Sequence, residues 1–230
     1  MRQTEHNGIK FFHRDGTSDL KTFEEVVIRD VYQKKGNKIQ NGEHWIDCGG
    51  NVGAFTVLAC SKGAKVTVYE PDPFNCKMIE KNLKLNGFDA EIVCAGLVHN
   101  DAKRANLYVG NNGNVWRNSM FKNWNGKGLK VDCVNFDEVV PDGVCVKMDI
   151  EGAEMPILET TKRKFNKLIY EWSFDIDPSL SRFWKIIDKQ KVDYNIKFEE
   201  HRTCYDDKRE IQWQKSWFPA CTNVFCYEKN

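Results

Sequence analysis

The pattern of apolar and polar positions changes character near residue 44. Ahead of that point the chain is mostly polar. The exception is the stretch 23–32, where apolar residues at 23, 27, 28, 31 and 32 share one side of a helical period. That spacing predicts a helix stopped by Lys34-Lys35-Gly36-Asn37. Beyond residue 44, short β-branched or apolar runs alternate with helically spaced ones. Strands are predicted over 44–48, 65–70, 91–95, 144–149, 167–171, 194–198 and 222–227, and helices over 54–61, 74–86, 155–159 and 179–190. Strand–helix alternation predicts an α/β fold, a doubly wound, mostly parallel sheet with helices on both faces. No helical pattern closes the chain, so the final strand is expected to be antiparallel. The expected organisation is an N-terminal arm over 1–43 and a domain over 44–230, with an insertion at about 100–140.

Composition narrows the function classes. The 230 residues include 34 Lys+Arg against 33 Asp+Glu, a net charge of +1, so no global basic field exists to hold nucleic acid. Nucleic-acid partners are therefore not expected. The longest apolar run, 54–60, is far short of the roughly 20 residues that span a bilayer. The first residues lack the apolar stretch of a secretory leader. The nine cysteines are odd in number and include no C-x-x-C pair. Cys60, Cys94, Cys133, Cys145 and Cys226 lie in apolar stretches, where a thiol packs as a small hydrophobe. Free thiols and a cytoplasmic, reducing location are expected.

The chemistry begins at Asp47-Cys48-Gly49-Gly50-Asn51-Val52-Gly53, where a strand turns into a helix. Glycines there permit a tight turn and close approach of a ligand to the backbone. Glu70 ends the next strand, about 20 residues on, at the spacing of a carboxylate that binds an adenosine ribose. The glycine order is not that of a dinucleotide fingerprint, and no Gly-Lys-Ser/Thr follows. Asp47 would repel a pyrophosphate and attract the sulfonium or amino group of S-adenosylmethionine. Charge sign thus points to that cofactor.

The run Asp47–Thr56, then Tyr69-Glu70-Pro71-Asp72-Pro73, Asn82-Leu83-Lys84-Leu85-Asn86-Gly87 and Lys147-Met148-Asp149-Ile150-Glu151-Gly152-Ala153-Glu154 together resemble the FkbM family. The resemblance implies a class I, Rossmann-like fold and O-methyl transfer from S-adenosylmethionine, with S-adenosylhomocysteine as product. It sets Asp47, Gly49, Gly50, Asn51 and Gly53 around the methionine end and Glu70 on the ribose. Pro71 and Asp72 lie beside the adenosine, Ala95-Gly96 near the adenine, and Asp149 at the cofactor's edge. A sugar or glycan hydroxyl, for example on a deoxyhexose unit, is the acceptor that it suggests.

A hydroxyl is a poor nucleophile at neutral pH, so a placed carboxylate should take its proton. Asp149 is the first choice for this base and Glu151 the second. Lys147 shares a strand face with Asp149, and Glu171 ends the neighbouring strand on the same edge. Asp149, Glu171 and Asp175 are the acids that a Mg²⁺ or Mn²⁺ would use, though no metal is expected. Trp116 and Trp124, amid Asn and Gly in the insertion, suit stacking on a sugar ring. Methylation of an RNA ribose 2′-hydroxyl is the alternative enzyme reading, and a cofactor-binding module without catalysis is the non-enzymatic one.

Overall fold

The structure is a computed structural model and describes residues 1–110, 113, 117–123, 128–199, 203–205, 211–213 and 221–229. The chain opens with an antiparallel hairpin, β1 (Arg2–His6) and β2 (Ile9–His13). A short α1 (Asp19–Phe23) runs into a wider π-helical turn over Glu24–Ile28. Asp30 then takes a left-handed φ of 55°, and a 3-10 turn covers Val31–Gln33. The single helix expected over 23–32 is therefore broken. The left-handed residue reverses the chain, which buries Val31 and Tyr32 while Ile28 stays 46% exposed.

There follow β3 (His44–Cys48), α2 (Ala54–Ser61), β4 (Lys65–Tyr69), α3 (Pro73–Asn86) and β5 (Glu91–Val93). Next come β6 (Gly96–Val98), β7 (Arg104–Tyr108), β8 (Gly128–Asn135) and α4 (Phe136–Val139). The chain continues through β9 (Cys145–Met148), α5 (Glu154–Thr160), β10 (Lys167–Ser173), α6 (Leu180–Gln190) and β11 (Tyr194–Glu199). A small pair, β12 (Thr203–Tyr205) and β13 (Ile211–Trp213), precedes β14 (Cys221–Glu228). The main sheet has seven strands in the order β11-β14-β10-β9-β3-β4-β5. Pairings from β10 to β5 are parallel, and β14 runs antiparallel to both β10 and β11. This is the doubly wound sheet the pattern predicted, with its antiparallel final strand.

The strand alternation separates two cores. On one face Ile46, Val146, Leu168 and Val224 pack with Met155 and Ile157 of α5 and with Phe183 and Ile187 of α6. On the other face Trp45, Cys145, Ile169 and Phe225 pack with α2 and α3, and with Phe11, Phe23 and Tyr32 from ahead of β3. Residues 9–39 thus supply part of this second core.

The hairpin's free backbone edge is closed by side chains. Asn82 Oδ1 accepts from Phe12 N–H at 2.7 Å, and Asn86 Oδ1 accepts from Lys10 N–H at 2.8 Å. The two amide groups donate back to the carbonyls of Phe12 and Lys10, at 3.2 and 2.7 Å. Four residues apart on α3, the two asparagines act as a substitute strand, which explains why an unpaired edge is tolerated there.

The cysteine expectation needs correction. Cys76 and Cys94 form a disulfide, with their Cα atoms 6.1 Å apart. Cys94 is exposed rather than packed as a buried hydrophobe. The pairing follows from tertiary placement: the first turn of α3 lies beside the end of β5, although 18 residues separate the two in sequence. Cys133, Cys145 and Cys226 are free and buried as expected, and Cys60 is free and half-buried. No helix among the described residues is long and apolar enough to cross a membrane.

Candidate active site

The carboxyl ends of β3, β4 and β9 meet in one cleft. Gly49, Asn51, Glu70, Pro71, Gly96, Asp149 and Glu151 line it, together with Tyr69, Asn75, Leu97, Leu107, Asn118, Met120 and Ile150. Gly49 is required where β3 touches the turn after β9. Its φ is +83°, and a Cβ there would stand 2.0 Å from the Asp149 carbonyl oxygen. Asn51 follows with φ 48°, a left-handed conformation that asparagine tolerates better than most residues.

One wall is built on Glu70. Its carboxylate accepts from Asn51 N–H at 2.7 Å, Asp72 N–H at 2.9 Å and the Asn75 amide at 3.4 Å. Burial nevertheless pushes Glu70 up to about 7, because three donors only partly replace lost water and Asp72 adds a like charge. Arg14 Nη2 donates to Asn75 Oδ1 at 2.8 Å, so the arm braces this wall from outside. Asp72 is buried and caps α3, accepting from Phe74 N–H at 2.8 Å and from Asn118 Nδ2 at 3.1 Å.

The other wall carries the acids. Asp149 Oδ2 accepts from the Tyr32 hydroxyl at 2.8 Å. Glu151 is half-buried with φ 52°; its carbonyl accepts from Ser119 Oγ at 2.5 Å, and the Glu154 carboxylate takes the flanking N–H groups of Ile150 and Gly152. Burial, then the charges of Asp149 and Glu171, push Glu151 well above the ordinary carboxylate range, with Arg117 opposing. Burial and Asp149 raise Glu154 to about 7. Glu171 is raised to about 8 by burial, then by Asp149, Glu25 and Glu154. Such a group of acids holds protons at neutral pH, because like charges this close cannot all ionise.

Two predicted residues lie beneath the cleft rather than in it. Asp47 and Lys147 are directly opposite on neighbouring strands, fully buried, and paired at 3.1 Å. Thr56 Oγ1 donates to Asp47 at 2.7 Å, and Lys147 donates to the Gly49 carbonyl at 2.8 Å. Burial works against the Lys147 ammonium, but Asp47 and Asp149 outweigh it and hold the group above its ordinary value. The pair thus anchors the glycine turn from below. Gly50 sits against Val68 and Ile79, Gly53 starts α2, and Ala95 is buried behind Gly96. Glu171, on β10, interacts electrostatically with Asp149 and is not part of the cleft lining. Asp175 is bonded to Arg117 and to Lys122 through its carbonyl, and no metal-holding group of acids, histidines or cysteines occurs among the described residues. Trp116 and Trp124 lie outside the described residues.

A family model, the methyltransferase FkbM domain, matches residues 47–196. The chain belongs to that family. The FkbM match takes in both walls of the cleft but starts after Arg14, Glu25 and Tyr32. Among solved structures, a dimethyladenosine transferase from Plasmodium falciparum is similar with a TM-score of 0.52 and 12% identity, over 88% of this chain and 60% of that one. The tRNA (uracil-54, C5)-methyltransferase of Pyrococcus abyssi, solved with S-adenosyl-L-homocysteine, gives 0.51 and 14%, over 98% of this chain and 43% of that one. The chain therefore spans less than two thirds of either protein's length, and the likeness is one of fold: the class I, Rossmann-like methyltransferase fold. No curated protein matches the sequence.

Sequence reasoning missed Tyr32, Asn75, Asn118 and Ser119. None stands in a glycine turn or at a strand end, the two signals used; Asn75 and Asn118 line the cleft, and Tyr32 and Ser119 bond to Asp149 and Glu151 in it.

Proposed function

We propose that this FkbM-family methyltransferase uses S-adenosylmethionine to methylate a hydroxyl of a sugar or glycan, with Asp149 as general base. One observation carries the reading: the described lining of the cleft holds three carboxylic acids, Glu70, Asp149 and Glu151, and no Lys, Arg or His. With no basic side chain on its described lining, such a cleft disfavours a pyrophosphate or triphosphate and leaves acids alone to meet a cationic ligand. Asp47 does not supply this selection itself, since Lys147 already neutralises it.

In this reading Glu70 takes the ribose hydroxyls, the Gly49–Asn51 turn admits the methionine end, and Pro71, Gly96 and Leu97 flank the adenine. When bound, the cofactor supplies an electrophilic methyl group on a sulfonium. The chain's part is to orient the acceptor hydroxyl and accept its proton on Asp149 as that oxygen reacts. Sugar acceptance is supported by Asn118 at the cleft and by Phe121, 51% exposed and packed beside Gly152, which offers a flat apolar face to a ring. The ribose 2′-hydroxyl alternative gains no observation of its own, because no lysine stands on the described cleft lining and Glu154 occupies the helix start where such chemistry would want one.

The test is mass spectrometry for methylated product across a panel of free and oligomeric sugars and capped RNA, with and without chelator. A methylated sugar, unaffected by chelation, is the expected result; methylation of capped RNA alone overturns it. Asp149→Asn should lower transfer by roughly 10²–10⁴-fold, the usual worth of a general base, while S-adenosylhomocysteine affinity stays within about threefold.

A further inference from the structure

We propose that Tyr32 is a positioning residue of the methyl-transfer site, its hydroxyl holding one oxygen of Asp149 so that the other meets the acceptor, and that residues 1–43 are thereby part of the active site. This rests on the function proposed above and adds a group that the family match leaves out.

The geometry is specific. Tyr32 is 5% exposed, its hydroxyl is 2.8 Å from Asp149 Oδ2, and its ring packs edge-on against Phe55 at 5.6 Å. Asn37, fully buried, donates to the Tyr32 carbonyl at 2.7 Å, which fixes the backbone behind the ring. Lys147 Nζ lies over the ring, 5.5 Å from its centre. Asp149 Oδ1 has no hydrogen-bond partner among the described residues, so one oxygen is committed to the tyrosine and one is left for chemistry. The charged groups facing this pair are Glu25 from the π-helical turn, Lys147 on β9, Glu151 in the turn after it, Glu154 on α5 and Glu171 on β10, with Arg117 beyond Glu151.

Tyr32 acts as a permanent donor. Burial first, then Asp149 and Glu171, push its hydroxyl well above its ordinary value, so it keeps its proton throughout the working range and does not itself exchange one. Its effect is on Asp149: a donor favours the charged carboxylate and holds it in one rotamer.

The experiment compares the full-length chain with Tyr32→Phe, which keeps the ring and its packing, and with Asn37→Ala, which loosens the tyrosine backbone from outside the cleft. Rates of methyl transfer are measured against pH on an acceptor found with the panel above. In Tyr32→Phe, kcat should fall by up to about tenfold on the acid limb of the profile and under threefold near pH 9, moving that limb up by about one pH unit. The KM for S-adenosylmethionine should stay within about twofold, and Asn37→Ala should show the same shift in weaker form. A uniform fall at all pH values, or an unmoved limb, overturns the inference, because a packing role would not touch the titration. A wild-type chain that binds S-adenosylhomocysteine yet methylates nothing overturns the function itself, and the role of Tyr32 with it. The two failures are read in different proteins, so they stay distinguishable.

Discussion

On the Glu70 wall the carboxylate is held by backbone N–H groups of Asn51 and Asp72, within about 20 residues of chain. On the Asp149 wall the partner is a side chain 117 positions away, and the neighbouring turn is stapled by Ser119, 32 positions from Glu151. The Glu70 carboxylate is therefore held by local backbone at the β3–α2 and β4–α3 junctions, while Arg14 and Asn118 brace only its neighbours Asn75 and Asp72. The second wall depends on separate segments, the arm and the insertion, being folded onto the sheet. The lesson is that cofactor recognition and acceptor chemistry draw on different classes of interaction, even though the same cleft serves both.

Gly49→Ala would break both walls at once. A Cβ there meets the Asp149 carbonyl oxygen, a backbone atom with no freedom to retreat, in a conformation that disfavours side chains. We expect a loss of about 3 kcal/mol or more, measured by urea denaturation; a change under about 1 kcal/mol would mean that the two turns can separate. Glu70→Ala should strike the local wall alone. Calorimetry with S-adenosylhomocysteine should show a loss of about 1–3 kcal/mol, and an unchanged affinity would remove Glu70 from the cofactor site.

The smallest effect concerns the acids of the other wall and appears only as a pH dependence. Glu171 titrates at about 8 when folded, against 4.5 ordinarily, so the folded chain holds a proton that the unfolded chain has released between those values. Stability from this group is thus fully present below about 4.5 and lost as pH rises through about 8. Glu171→Gln should flatten that decline, giving a Tm a few degrees above wild type near pH 9 and equal to it near pH 4.5. Glu151 and Glu154 are raised too, so some decline remains. An identical pH dependence in variant and parent would show that Glu171 is more solvated than its position implies.

Much of this fold could be read from the pattern of side chains. The strands at β3, β4 and β9 begin and end within a residue or so of the β-branched runs, because both faces of that part of the sheet are buried and each strand must be apolar. The hairpin was hidden by polarity: Arg2–His6 is mostly exposed, and only the alternation Ile9, Phe11, His13 on the buried side signalled a strand. The helix over 23–32 misled because periodicity does not register a left-handed Asp30. The cleft's glycines and Glu70 were legible since turn geometry demands them locally. Asp47 and Lys147 were assigned to chemistry because sequence cannot show that two strand-end charges face each other. Tyr32 and the Cys76–Cys94 bond were invisible for the same reason: each is a meeting between parts distant along the chain.

The closure of the hairpin edge by Asn82 and Asn86 has a practical consequence. A fragment begun at the family boundary, Asp47, would strip from α3 its hydrogen bonds to Lys10, Phe12 and Arg14 and uncover Phe55. It would also leave Asp149 without its tyrosine. Such a truncated product would retain the recognisable signature while forfeiting the buttress that makes it work, so shortened versions for crystallisation or assay should keep everything ahead of β3.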